Sequence, residues 1–225
     1  MNAEPPDKRP LNAMLVVVAA ATVWSAIDAA DYATWFFELL VGLSGVVVLV
    51  ITARRFRFSG LVYAVVAVHY VILAMGAKYT YSEMPLFNWL RDTFELQRNH
   101  FDRVGHYFQG VTPAIITREV LLRTTGIGRS RWLPLLAVSV ALAFSGLYEI
   151  LEWLWVIVFY PDKGPEWLGW QGDVWDAQGD MLMALLGGLT SAIVLTKWHD
   201  RSMAKLEEGD GTADERGLTE ISVRR

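Results

Sequence analysis

The chain of 225 residues is 53% hydrophobic and carries ten tryptophans against 20% charged residues, with a mean hydropathy of +0.30. That is too apolar for a soluble domain and reads as an integral membrane protein. A formal net charge of −4 excludes the basic balance of a nucleic-acid-binding chain, and the absence of cysteine excludes a disulfide framework, a thiolate zinc site and a cysteine nucleophile.

A helix needs about 20 mostly apolar residues to cross the hydrocarbon core. Six stretches meet that demand: 11–27, 36–53, 59–77, 104–122, 132–159 and 181–198. The first follows Lys8 and Arg9 like a signal peptide, but its length and Trp24, in place of a small-residue cleavage pattern, predict a retained helix. Between the third and fourth stretches, Pro85-Leu86-Phe87-Asn88-Trp89-Leu90 predicts a short interfacial helix. Pro161, Pro165, Trp167, Trp170 and Trp175 place the loop before the last stretch at a headgroup belt.

The expected fold is therefore all-α, an integral membrane bundle of six transmembrane helices with a short interfacial helix in the third loop. It divides into a cytoplasmic N-terminus (1–10), a transmembrane domain (11–198) and a polar, disordered cytoplasmic tail (199–225). Placing both termini in the cytoplasm leaves only Lys78, Arg91, Arg98, Arg103 and Lys163 of the 20 basic residues outside, as the positive-inside bias requires.

With that topology, three clusters of ionisable groups fall on the extracytoplasmic side. Asp102 and His106 share one face of the fourth helix at i, i+4, and Glu149 with Glu152 shares one face of the fifth. Asp173, Asp176 and Asp180 line one face leading into the sixth if that stretch is already helical. Ionisable groups at membrane depth are costly, so their convergence marks a site.

Carboxylates suit Mg, Ca or Mn and imidazole suits Zn or Fe, so Asp102, His106, Glu149, Asp173 and Asp176 are candidate ligands of a divalent metal. Crowded carboxyls in a low dielectric also hold protons, which makes a general acid available. His106, Glu149, Asp176 and Asp180 are accordingly the candidate catalytic groups, with Tyr79, Glu83 and Glu152 as substrate contacts.

Bland readings stand beside these. Asp102 next to Arg103 could be a helix N-terminal acid, Glu149 half of a buried structural pair, Asp173 and Asp176 solvated, and Asp180 a cap. Arg118 and Glu119 are expected to snorkel outward, His69 to hydrogen-bond across the bundle, His100 to be solvated and His199 to be cytoplasmic. Pro113 predicts a kink, and Gly187 and Gly188 with Ala184 predict close helix packing.

No Walker-type glycine loop, His-Glu-x-x-His, Gly-x-Ser-x-Gly elbow or dinucleotide fingerprint is present, and no repeat relates the two three-helix halves.

Several strings carry a resemblance: Gly76-Ala77-Lys78-Tyr79-Thr80-Tyr81-Ser82-Glu83-Met84-Pro85-Leu86-Phe87-Asn88-Trp89, Asp102-Arg103-Val104-Gly105-His106-Tyr107-Phe108-Gln109-Gly110, Tyr148-Glu149-Ile150-Leu151-Glu152-Trp153 and Gln171-Gly172-Asp173-Val174-Trp175-Asp176-Ala177-Gln178-Gly179-Asp180-Met181. With His69-Tyr70 they resemble the YjdF family of bacterial inner-membrane proteins, a domain of unknown function. That implies an inner-membrane location and a helical bundle and supplies no reaction. More distantly, Asp102, His106, Glu149, Asp176 and Asp180 are similar to a pattern of VanZ-like proteins, a group linked to glycopeptide resistance, with Glu152 and Asp180 departing from that group's usual Gln and Asn.

The sequence thus describes a multi-pass membrane protein whose His/Asp/Glu site acts on or binds lipid or lipid-linked headgroups, with a divalent metal as candidate cofactor and membrane lipid as the expected partner. A structural or partner-binding scaffold and a proton-coupled transporter are the alternatives.

Overall fold

The computed structural model describes residues 7–159, 170–206 and 208. The expectations for Pro161, Lys163, Pro165, Trp167 and the tail from 209 onward lie outside the described residues. Every long element described is a helix. Helix α1 (Arg9–Ala26) starts on Pro10, where the missing N–H costs nothing. Helix α2 (Tyr32–Thr52) is capped by Asp31, whose carboxylate accepts from Thr34 N at 2.7 Å.

Helix α3 (Gly60–Tyr79) ends where Thr80 and Tyr81 take left-handed backbone angles, φ 54° and 55°. That turn folds the Tyr81 ring back onto Gly76, where a Cβ would collide with it, and against Gly105. Helix α4 (Pro85–Thr93) is the expected short helix, with Leu86 and Trp89 exposed. Then come α5 (Phe101–Thr124), α6 (Trp132–Phe159), a single 3-10 turn (Trp170–Gly172), α7 (Asp176–Ile193) and α8 (Thr196–Leu206).

Among the described residues four helices, α1, α2, α3 and α6, are long and apolar enough to cross a membrane, and α7 with α8, bent by 59°, would make a fifth. The expected last helix, 181–198, is corrected at both ends. It begins five residues earlier, at Asp176, so the polar turn is already helical, and it breaks before Thr196. Helix α5 is less apolar and carries Asp102, Arg103, Arg118, Glu119 and Arg123 along its length. Its polar residues are turned inward: His106, Arg118 and Glu119 are buried, while α2 and α6 expose Phe36, Val47, Ile51, Leu135 and Phe144. An apolar exterior around a polar centre is what a hydrocarbon solvent favours.

Helix α5 is that centre, packed against α3, α6 and α7, with α1 and α2 seated on α3. Helices α5 and α7 meet backbone to backbone. A Cβ on Gly110 would collide with the Ala184 carbonyl, and one on Gly187 with the Tyr107 carbonyl. Gly188 faces Val138 and Ala141 of α6. The close packing expected of Gly187 and Gly188 thus has definite partners, of the small-residue kind by which membrane helices associate.

At the end of α5 near Thr124, the expected snorkelling of Arg118 and Glu119 is overturned. Glu119 has no exposed surface and accepts from Ser59 N at 2.8 Å, from Arg123 Nη1 at 2.7 Å and from His199 Nε2 at 2.9 Å. Arg118 reaches Asp200 at 2.7 Å and His199 Nδ1 at 3.0 Å. A guanidinium only donates, so His199 accepts at Nδ1 and donates at Nε2, a neutral imidazole between fixed partners. His199, expected to be simply cytoplasmic, is the buried link between α5 and α8.

The Gly187 contact yields the first prediction. Gly187→Val forces α7 away from α5 and should lower stability by about 1–3 kcal/mol or more, read as a lower midpoint of thermal unfolding in detergent, whereas Gly45→Val, at a site with open space, should leave it unchanged.

Candidate functional site

The site forms where α5 and α7 begin and α6 nears its end. Because Gly110 and Gly187 let α5 and α7 touch, their first turns lie side by side, and the carboxylates of one helix face the cations of the other. Arg98, in the loop before α5, donates to Asp176 Oδ1 at 2.6 Å and Asp173 Oδ2 at 3.3 Å, and its Nη2 lies 3.6 Å from Asp102. Arg103 donates to Asp180, to Asp173 Oδ2 at 3.0 Å and to the Asp176 carbonyl at 3.0 Å. A Cβ on Gly179 would meet its guanidinium at 2.7 Å, so a larger residue there would push the arginine off its present position.

The loop that carries Arg98 is itself pinned. Asn99, fully buried, donates from its backbone to Gln171 Oε1 at 2.8 Å and accepts Gln171 Nε2 at 3.0 Å on its carbonyl. Its side chain bonds Asn88, the Met84 carbonyl and Phe101 N. These bonds lock α4, the start of α5 and the segment before α7 into one cap.

His106 lies under that cap, 8% exposed. Its Nδ1 is 2.8 Å from Gln109 Oε1 and 3.6 Å from Glu149 Oε1, and its Nε2 is 3.3 Å from Asp102 Oδ1 and 3.6 Å from Asp180 Oδ1. With Nδ1–H given to Gln109, Nε2 faces two carboxylates, and a proton or a cation has to stand between them. One ligand atom each from Asp102, His106 and Asp180 falls within 4.8 Å of the others, the spacing a metal ion needs.

Among the described residues no arginine pairs with Glu149, and its Oε1 is buried without a hydrogen-bond partner. Tyr148 beside it packs edge-on to the His106 ring at 5.8 Å and donates to Glu38 Oε2 at 3.0 Å. Asp173 sits at the rim, partly exposed. The Trp175 backbone N–H, with Arg103 and Arg98 nearby, holds its carboxyl below the usual carboxylate range, so it stands ionised.

The cluster is one end of a slot of about 760 Å³ between α2 on one side and α3, α5 and α6 on the other. Glu38, Tyr81, Asp102, His106, Glu152 and Asp180 line this end, and Val46, Leu49, Phe58, Val66, Ile116 and Val120 the other. The α5 positions from Asp102 to Val120 span roughly 27 Å at the helical rise, close to the depth of a hydrocarbon core.

The structure therefore brings Asp102, His106, Glu149, Asp176 and Asp180 together, puts Glu152 on the slot and leaves Asp173 at the rim. Tyr79 and Glu83 lie elsewhere. Tyr79 packs on Trp24 at 6.3 Å, and Glu83 is exposed and bonded to Asn88 at 3.0 Å. The left-handed turn sends Tyr81 to the slot in their place. Glu38, Gln109 and the arginine pair were not singled out by sequence reasoning. Glu38 carried the same signal as Glu149, a lone carboxylate inside an apolar run.

A helical bundle with an apolar exterior, a charged central helix and a buried network of acids, arginines and histidine defines a multi-pass integral membrane protein. The chain belongs to the family described as predicted membrane protein (DUF2238), which it matches over residues 10–201. It is 36% identical over 195 residues to the inner membrane protein YjdF of Escherichia coli (strain K12), an alignment covering 87% of this chain and 93% of that protein. Neither match concerns VanZ-like proteins. No solved structure matches the chain at a significant level.

Arg103 is the test of the network. Removing one partner of a buried ion group leaves an uncompensated charge, so Arg103→Ala should cost about 3–5 kcal/mol of stability. Combining it with Asp180→Asn should recover part of that loss, and a double-mutant cycle on thermal unfolding in detergent measures the coupling.

Proposed function

We propose that this protein binds, and works on, the polar head of a lipid or lipid-linked molecule at the extracytoplasmic face of the inner membrane, with Asp102, His106 and Asp180 holding a divalent cation. The reading takes six spans with α5 as one of them, α4 at the interface and both termini in the cytoplasm, as the positive-inside bias favours. The observation that carries it is the joining of two surfaces: a charged cluster suited to a head group opens directly into an apolar slot between helices.

The donor set of two carboxylates and one imidazole fits Mn, Zn or Mg, and a cation there supplies Lewis-acid polarisation of a phosphoryl or carbonyl oxygen. Glu149, whose Oε1 has no hydrogen-bond partner, is the group free to take a proton from a reacting water or hydroxyl. Asp176 orients Arg98 and Arg103, and Glu152 lines the path of the bound molecule. Tyr79 and Glu83 have no part in this reading.

One observation favours a scaffold instead. Arg98 and Arg103 already neutralise Asp173, Asp176 and Asp180, as a purely structural network would. Cation binding separates the two readings. Protein stripped with chelator and titrated with Mn²⁺ under electron paramagnetic resonance should show saturable binding, weakened at least about tenfold in Asp102→Asn, His106→Ala and Asp180→Asn. No saturable binding, or binding that these variants leave unchanged, would count for the scaffold.

A further inference from the structure

The middle of the slot is polar without being charged. Tyr81 lies against Gly105 at one end of the α3–α5 pair, and Ser59 bonds Glu119 at the other, so the two helices are antiparallel. His69, midway along α3, therefore comes level with the middle of α5, and its ring lies 6.2 Å from that of Phe108. His69, Gln109, Thr112 and Pro113 all line the slot. Thr112 is ten residues from Asp102, roughly 15 Å deeper at the helical rise and close to half the hydrocarbon thickness.

Among the described residues two side-chain atoms at this level lack partners, and one backbone carbonyl lacks its usual helical donor. Thr112 is 8% exposed and its Oγ1 has no hydrogen bond, while Nε2 of His69 is likewise buried and unbonded. Several helical threonines here return the hydroxyl to the carbonyl four residues back: Thr22 to Val18, Thr52 to Val48, Thr124 to Val120 and Thr190 to Leu186. Thr112 keeps its own. Pro113, lacking an N–H, gives nothing to the Gln109 carbonyl four residues before it.

A buried donor or acceptor left empty in an apolar setting is costly, and an occupant bonding several at once removes that cost. The set offers acceptors and a hydroxyl but no fixed charge, because the carboxylates lining the slot, Glu38, Asp102, Glu152, Asp176 and Asp180, gather at the cluster end. An ion is therefore poorly matched and a neutral hydroxyl well matched.

We infer that His69, Thr112 and the Gln109 carbonyl form a mid-depth binding station for a neutral hydroxyl, supplied either by water drawn down the slot or by an amphiphile lying in it. Below the station the lining is mainly Val46, Leu49, Ile116 and Val120, with Thr117 and Thr52 as its hydroxyl-bearing members, and Thr52 returns its hydroxyl to its own helix. The station stands whether or not the cluster above it holds a cation.

The chain contains no cysteine, so single cysteines report without background. Thr112→Cys and, as a deeper control, Ile116→Cys are treated with a small hydrophilic thiol reagent in membranes and again after delipidation in detergent. Modification of Thr112→Cys several-fold faster than Ile116→Cys in membranes supports the station with water as occupant, since thiolate formation needs a polar setting. Protection in membranes with the same several-fold preference after delipidation supports it with a lipid hydroxyl. Equal or absent modification of the two sites in both states overturns it. Thermal unfolding of Thr112→Val gives a second readout: a lowered midpoint supports an occupied station, and an unchanged or raised midpoint overturns it, because replacing an unbonded hydroxyl by a methyl costs nothing.

Discussion

Everything else in this molecule hangs on the distance at which α5 meets α7. Gly110 and Gly187 let the two backbones touch, and a touching pair that starts at the same level must bring its first turns together. Those turns carry Asp102, Arg103 and His106 on one helix and Asp176 and Asp180 on the other. The charges that make the contact hazardous in a membrane are also those that neutralise one another across it. A larger side chain at either glycine would separate the helices and leave each set of charges without its complement.

The two ends of α5 solve the problem of buried charge differently. Near Thr124, Glu119, His199, Arg118 and Asp200 form a closed circuit in which each donor has an acceptor, and such a network locks α8 in place. Near Asp102 the circuit stays open. Two arginines face four aspartates, His106 turns Nε2 toward two carboxylates, and Glu149 keeps an oxygen unbonded. Here Glu149 Oε1 and two nitrogens of Arg98 are buried without hydrogen-bond partners among the described residues, and this open cluster beside a slot is what the proposed binding role rests on.

Much of this was legible in the sequence, because apolar length and the cost of buried charge are both local properties. Trp132–Phe159 was read with its observed bounds, and the i, i+4 spacing of Asp102 and His106 placed them on one face. What failed depended on tertiary partners or backbone angles. Arg118 and Glu119 near a helix end look like snorkelling residues until Ser59 and His199 meet them. Tyr79 and Tyr81 are equivalent by composition, and only the left-handed turn at Thr80 decides which ring reaches the slot. The break before Thr196 falls in the apolar pair Val194-Leu195, which carries no helix-stopping signal.

Helix α2 packs on α3 and only lightly on α1, and across the slot Glu38 meets Tyr148 and Phe37 stacks on Trp155 at 4.5 Å. The helices flanking the slot, α2 and α6, expose apolar side chains such as Val47, Ile51 and Phe144. The central claim, a polar cluster that holds a lipid head while the slot holds its chain, is tested most directly by native mass spectrometry of the protein released gently from its own membrane. The account predicts a lipid retained on the wild type and lost from His106→Ala and Asp180→Asn variants that remain folded; equal retention by all three, or none by the wild type, would contradict it.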